Sequence, residues 1–136
     1  MEAKLYTDGG ARGNPGPGGI GYVLAVAGKR VVKKGKYVGR VTNNQAEYMA
    51  LLEGLKEAKK EGARSVSCFL DSELVVKQMK GEYKIKNAAL IDIANQVKVI
   101  ADEFDRVRFT HVARDHNKEA DKLVNMAIDD HLGSPG

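Results

Sequence analysis

Residues 3–8, Ala-Lys-Leu-Tyr-Thr-Asp, alternate in character and close on an acid. That period of two reads as a strand ending on Asp8, and the segments around it decide the fold. Residues 9–19 form a glycine- and proline-rich loop. Residues 20–27 and 30–38 read as two more strands, a hairpin turning at Gly28-Lys29. The period then changes. Over 43–61, Ala46, Met49, Leu52 and Leu55 share one helical stripe, with Gly62 as a stop signal. A strand at Val66–Asp71, a short helix near 72–80 and a longer helix over 88–103 follow, then a strand at Val107–Val112 and a last helix over 117–131. The order β-β-β-α-β-α-α-β-α implies one mixed sheet, an α/β fold. Meander strands alternate in direction, and crossovers through helices add the later strands parallel to the first. Helices are expected on both faces.

With 136 residues the chain has room for one hydrophobic core. A single domain over 1–132 is expected, with 133–136 as a disordered tail. Its 43% apolar and 29% charged residues are ordinary for a soluble protein. The apolar runs, such as Tyr22 to Ala27, are too short to span a bilayer. Strand character so close to Met1 leaves no room for a signal peptide. One cysteine makes no internal disulfide, and with three histidines it builds no Cys/His zinc site. A cytoplasmic location and a monomer, with no membrane partner, are the expectations. The net charge of +4 is compatible with a polyanion without requiring one.

Four acids stand out. Asp8 and Asp71 each fall at the carboxyl end of a strand expected to be parallel, the edge where sites form in open α/β sheets. Glu47 lies in the first turn of its helix with Leu51 and Leu55 at i+4 and i+8, bordering the buried stripe. Asp121 repeats that placement, with Val124 and Ile128 on its side. Acids gathered this way need a compensating cation, and hard oxygen ligands suit Mg²⁺. Each acid also has an ordinary reading, as a first-turn acid or as a strand-end cap.

The neighbours of these acids carry a resemblance. Tyr6-Thr7-Asp8-Gly9-Gly10, Thr42-Asn43-Asn44-Gln45-Ala46-Glu47-Tyr48, Leu70-Asp71-Ser72 and Asn117-Lys118-Glu119-Ala120-Asp121 resemble, in order, the signature segments of type 1 ribonucleases H. The resemblance covers residues 3 to about 130. It implies the ribonuclease H-like fold with sheet order 3-2-1-4-5. It also implies cleavage of the RNA strand of RNA–DNA hybrids, leaving 5′-phosphate and 3′-hydroxyl ends. Asp8, Glu47, Asp71 and Asp121 would hold two Mg²⁺ ions, with Mn²⁺ able to substitute. Gly9, Asn14, Asn43 and Asn44 match substrate-contact positions. Arg40, Thr42 and Asn87 match a pocket for a DNA-strand phosphate. An amide can recognise a 2′-hydroxyl, which is donor and acceptor at once; Asn43 reads equally as a helix cap.

Two departures from the family pattern matter. Relatives carry a histidine in a flexible loop before the last acid. Here the loop Ala113–Asn117 is short, His111 falls inside a strand, and His116 is the better candidate, with Arg114 or Asp115 as alternatives. Relatives with strong hybrid grip insert a basic, tryptophan-bearing protrusion after the short helix. Here Met79–Lys86 is compact and the chain has no Trp, leaving Lys80, Tyr83, Lys84 and Lys86 as a modest patch or a solvated turn. The compact form resembles enzymes whose specificity can relax to double-stranded RNA. Gly16–Gly21 fits G-x-G-x-x-G but leads into a strand, which removes the dinucleotide reading. Cys68 reads as a small core residue.

Overall fold

A computed structural model describes residues 2–27 and 31–133. The turn expected at Gly28-Lys29 and the tail from residue 134 lie outside the described residues. Five strands, β1 (Glu2–Ala11), β2 (Gly16–Val26), β3 (Val31–Val41), β4 (Ser65–Leu70) and β5 (Arg106–His111), form one sheet in the order β3-β2-β1-β4-β5. β1 pairs antiparallel with β2 and parallel with β4; β2–β3 is antiparallel and β4–β5 parallel. Four helices, α1 (Asn43–Lys60), α2 (Glu73–Met79), α3 (Ala88–Ala101) and α4 (Lys118–Leu132), complete the fold, with a 3₁₀ turn at Arg114–His116 before α4. The expected topology is the observed one.

The alternation of β1 sorts its residues between the two faces. Ala3, Leu5 and Thr7 are buried toward α1, within a core that includes Leu24, Leu51, Leu55, Val66, Cys68 and Val97. α1 packs against β1, β2 and α3 on this side, while α4 packs against β2, β3 and β1. Among the described residues no helix is long and apolar enough to cross a membrane.

The loop expected over 9–19 is mostly strand. β1 runs on to Ala11 and β2 starts at Gly16, paired Gly9↔Ile20, Gly10↔Gly19 and Ala11↔Gly18. Only 12–15 form the turn. These glycines look like loop residues because glycine weakens strands, yet a strand glycine also marks close approach of another backbone. A Cβ on Gly9 would sit 2.3 Å from the carbonyl of Ala46 in α1, and one on Gly21 would sit 2.5 Å from Ala120 O in α4. Side chains are missing where two helices rest on the sheet. β3 likewise continues three residues past its expected end at 38, with Gly39 at φ +82 beside a register shift.

Candidate active site

The parallel pairing of β1 with β4 ends at Thr7↔Leu70. The next residues are Asp8 and Asp71, side by side where β4 stops and β1 continues with β2 alone. Asp8 is therefore inside its strand, three residues before the end, and not its terminus. Its position across β2 is Gly21. Because Gly21 has no side chain, Ala120 of α4 lies against it, and Asp121 is the next residue along. On the other flank Gly9 admits the Ala46–Glu47 backbone of α1. Two glycines thus bring two helices against the strand bearing Asp8; Asp121 lies in the first turn of α4, whereas Glu47, expected in the first turn of α1, falls just beyond it.

The four acids, together with Gly9, Asn43 and Arg114, line one pocket of about 260 Å³. Burial pushes the Asp8 carboxyl far above the ordinary carboxylate range, and the charges of Asp71, Asp121 and Glu47, with a hydrogen bond to Asp121, push it further. Burial also raises Glu47 to about 7, while a hydrogen bond from Ser72 and the Arg114 charge oppose the shift. Oε2 of Glu47 is buried without a hydrogen-bond partner. An acceptor oxygen left so is costly unless a donor or cation meets it. The donor set is all carboxylate, which suits a hard divalent ion. Among the described residues no three His, Cys, Asp or Glu side chains close round one point as a ready cage. An open ring of acids around solvent fits Mg²⁺, which keeps several waters.

The starts of α1, α2 and α3 are each capped by the polar side chain that precedes them. Thr42, not Asn43, caps α1: its Oγ1 accepts from Gln45 N at 3.1 Å, and the Gln45 side chain accepts from Thr42 N at 2.9 Å. Asn43 instead accepts from Ala11 N through Oδ1 at 2.8 Å, and its own N–H donates to Asn14 Oδ1 at 3.0 Å. These bonds tie the 12–15 turn to the start of α1. Asn87 caps α3 by accepting from Ala89 N at 2.9 Å. Asn44 is half-buried, Arg40 is exposed at the end of β3, and Lys84 is exposed beyond α2. Cys68 is fully buried, and burial raises its thiol.

The histidine expectation fares differently. His116 is exposed on the 3₁₀ turn and lines a separate cavity with Tyr6, Val23 and Glu119, while Arg114 lines the acid pocket. The structure brings Arg114, not His116, to the acids. His111 ends β5, exposed. Two further residues escaped the sequence reading. Ser72 caps α2 and serves Glu47. Asn117 is buried and donates to Asp71. Both stand inside the quoted motifs, but a polar residue before a helix reads simply as a cap.

Residues 6–127 match a family model described as reverse transcriptase-like. A ribonuclease H of Hydrogenovibrio crunogenus is 33% identical over 98% of this chain and 99% of its own length. The chain belongs to the ribonuclease H family. Another relative in sequence, a bifunctional protein of Mycobacterium tuberculosis, is 41% identical over 95% of this chain but only 36% of its own length. The chain thus spans about a third of that relative. Among solved structures, a ribonuclease H1 termed LC11, in complex with an RNA/DNA hybrid, superposes with a TM-score of 0.89 at 40% identity, covering 96% of this chain and 99% of the other. The sheet order given above is that of the ribonuclease H fold, and the connection from α2 to α3 is the compact segment Lys80–Asn87, without an inserted protrusion.

Proposed function

We propose that this chain hydrolyses the RNA strand of RNA–DNA hybrids at the pocket of Asp8, Glu47, Asp71 and Asp121. The observation that carries the reading is the convergence of four acids from β1, α1, the end of β4 and α4, with Asp8 raised by burial and then by the charges of the other three. Family membership and a relative solved with an RNA/DNA hybrid support the choice of substrate. Two Mg²⁺ ions, or Mn²⁺ in their place, would supply an activated water and a counter-charge for the leaving oxygen. Water adds to phosphorus as the P–O3′ bond breaks, so the products end in 5′-phosphate and 3′-hydroxyl.

The chain's own groups set where the phosphodiester lies. Asn14 and Asn43 spend their oxygens on backbone N–H groups, so their NH₂ groups are free to donate to base edges or 2′-hydroxyls, with Asn44 and the backbone at Gly9 beside them. Thr42 and Asn87 likewise spend acceptors on helix caps, and their donors, with the Arg40 guanidinium, suit a DNA-strand phosphate. Lys84 adds a backbone contact. In the loop, Arg114 is placed to offset charge at Glu47; His116 takes part only if that turn rearranges. All four acids come from one chain, so we take a monomer, a single domain over 1–132, as the working unit. A cytoplasmic location belongs to the same proposal.

The test is a cleavage assay with Mg²⁺ on end-labelled RNA–DNA hybrid, double-stranded RNA, double-stranded DNA and single-stranded RNA, with Asp71→Asn as control. Cutting of the hybrid's RNA strand, lost in the variant, is expected. Additional cutting of double-stranded RNA would add that substrate. Hybrid binding without any cleavage would overturn the reading in favour of a binding module.

A further inference from the structure

Asn117 stands immediately before α4, where an Asn ordinarily caps the helix, yet it makes no capping bond. Its side chain turns inward and is 2% exposed. Nδ2 donates to the Thr7 carbonyl at 2.8 Å and to Asp71 Oδ2 at 3.2 Å, using both hydrogens. The amide cannot be reversed, because its oxygen would then face two acceptors. Oδ1 is left buried without a partner. The chain gives up a cap and strands an oxygen to place one donor group between Thr7 in the body of β1, the end of β4 and the start of α4. Such an arrangement costs stability, and a helix start alone does not need it.

We propose that Asn117 is a positioning residue for Asp71. Its grip on Oδ2 fixes the rotation of the carboxylate and leaves Oδ1 as the oxygen offered to a divalent ion. Side-chain groups that hold a ligating carboxylate act through the ligand in this way. The same amide, through Thr7, keeps β1 in register with that carboxylate, so Asp8 and Asp71 stay level. The inference rests on the reading of the four acids as a Mg²⁺ site.

The experiment is a double-mutant cycle on Mg²⁺ affinity, measured by calorimetric titration of the metal-free protein, with melting curves to establish folding. Asn117→Ala should weaken binding about 10–100-fold. In an Asp71→Asn background the same substitution should change affinity little. Wild-type affinity in Asn117→Ala overturns the inference while sparing the metal site. Equal losses in both backgrounds also overturn it, since a purely structural staple would act independently of Asp71. No Mg²⁺ binding by the wild type removes the metal site, and the inference with it. A second measurement covers an alanine variant that fails to fold. In wild-type protein the Asn117 side-chain amide, followed by NMR, should shift on Mg²⁺ addition by more than that of Asn125, whose side-chain nitrogen donates to the backbone carbonyl of Asp121 at 3.1 Å and not to a carboxylate. A shift no larger than that of Asn125 overturns the inference.

Discussion

On the side of the sheet that carries α1, contact is made mainly by side chains, with Leu5, Leu24, Leu51, Leu55 and Val66 in one core and a single close backbone approach at Gly9. Against α4 it is made largely where side chains are missing. Gly19, Gly21 and Gly35 let the helix backbone rest on the strands, so that an added Cβ would come within about 3 Å of α4 atoms at each. A side-chain interface tolerates small shifts by repacking, with the loss spread over many contacts. A backbone on a glycine strand fixes height and register more tightly, since neither surface can swing away. The acids follow the glycines: Glu47 is set by the approach of α1 at Gly9 and Asp121 by that of α4 at Gly21, while the apolar side carries most of the stability.

Substitutions can break this contrast, beginning with the largest expected effect on cleavage per folded molecule. Asp8→Asn should abolish cleavage while making the metal-free protein more stable. Asp8 is raised from an ordinary 3.8 by burial and its acidic neighbours. Between that value and its raised one, the native state holds a proton that the unfolded chain has released. Stability from this group therefore falls as pH rises through the window. The advantage of Asp8→Asn over wild type in urea unfolding with EDTA should widen from pH 4 to pH 8. A gap that is flat with pH would show that Asp8 is not the strained group.

Gly21→Ala should come next. Overpacking costs about 1–3 kcal/mol, but the displaced Ala120–Asp121 segment should lower kcat out of proportion to the unfolded fraction. A normal kcat in the folded fraction would mean that the glycine contact does not place Asp121. Leu55→Ala should reverse that pattern, losing about 2–5 kcal/mol of stability with kcat of the folded protein intact; a kcat loss would blur the division between faces. Thr42→Ala is the mildest, about 1 kcal/mol from the lost cap, with a small rise in KM for the hybrid that Thr42→Ser should restore. An unchanged KM would remove Thr42 from the substrate contacts.

Much of this was legible in the sequence. Strand and helix periods gave the order of elements and one mixed sheet, because one-sided burial imposes those periods; the order of strands within the sheet came with the family resemblance. The acids were legible because a carboxylate beside an apolar stripe needs a reason. The glycine segment was not, since Gly9 to Gly19 supplies no side-chain alternation to read. Whether such a run is a loop or a strand under a helix depends on what lies above it, which no local pattern encodes. The roles of Ser72 and Asn117 were hidden for a related reason. A polar residue before a helix has the same signature whether its side chain caps the helix or reaches across to another strand, and Asn117 does the second.

The acids come from residues 8, 47, 71 and 121, and the last sits on α4, which packs on strands made near the start of the chain. During translation, β1, β2 and β3 can form their hairpins while Asp121 has yet to be made. At about 5–20 residues per second, the interval between Asp71 and Asp121 is about 3–10 s. For that time a nascent chain holds three of its four acids and an uncovered row of glycines at Gly19, Gly21 and Gly35. The ribosome is crowded with RNA, and a nuclease that is incomplete until its final helix docks is born with its edge sheathed.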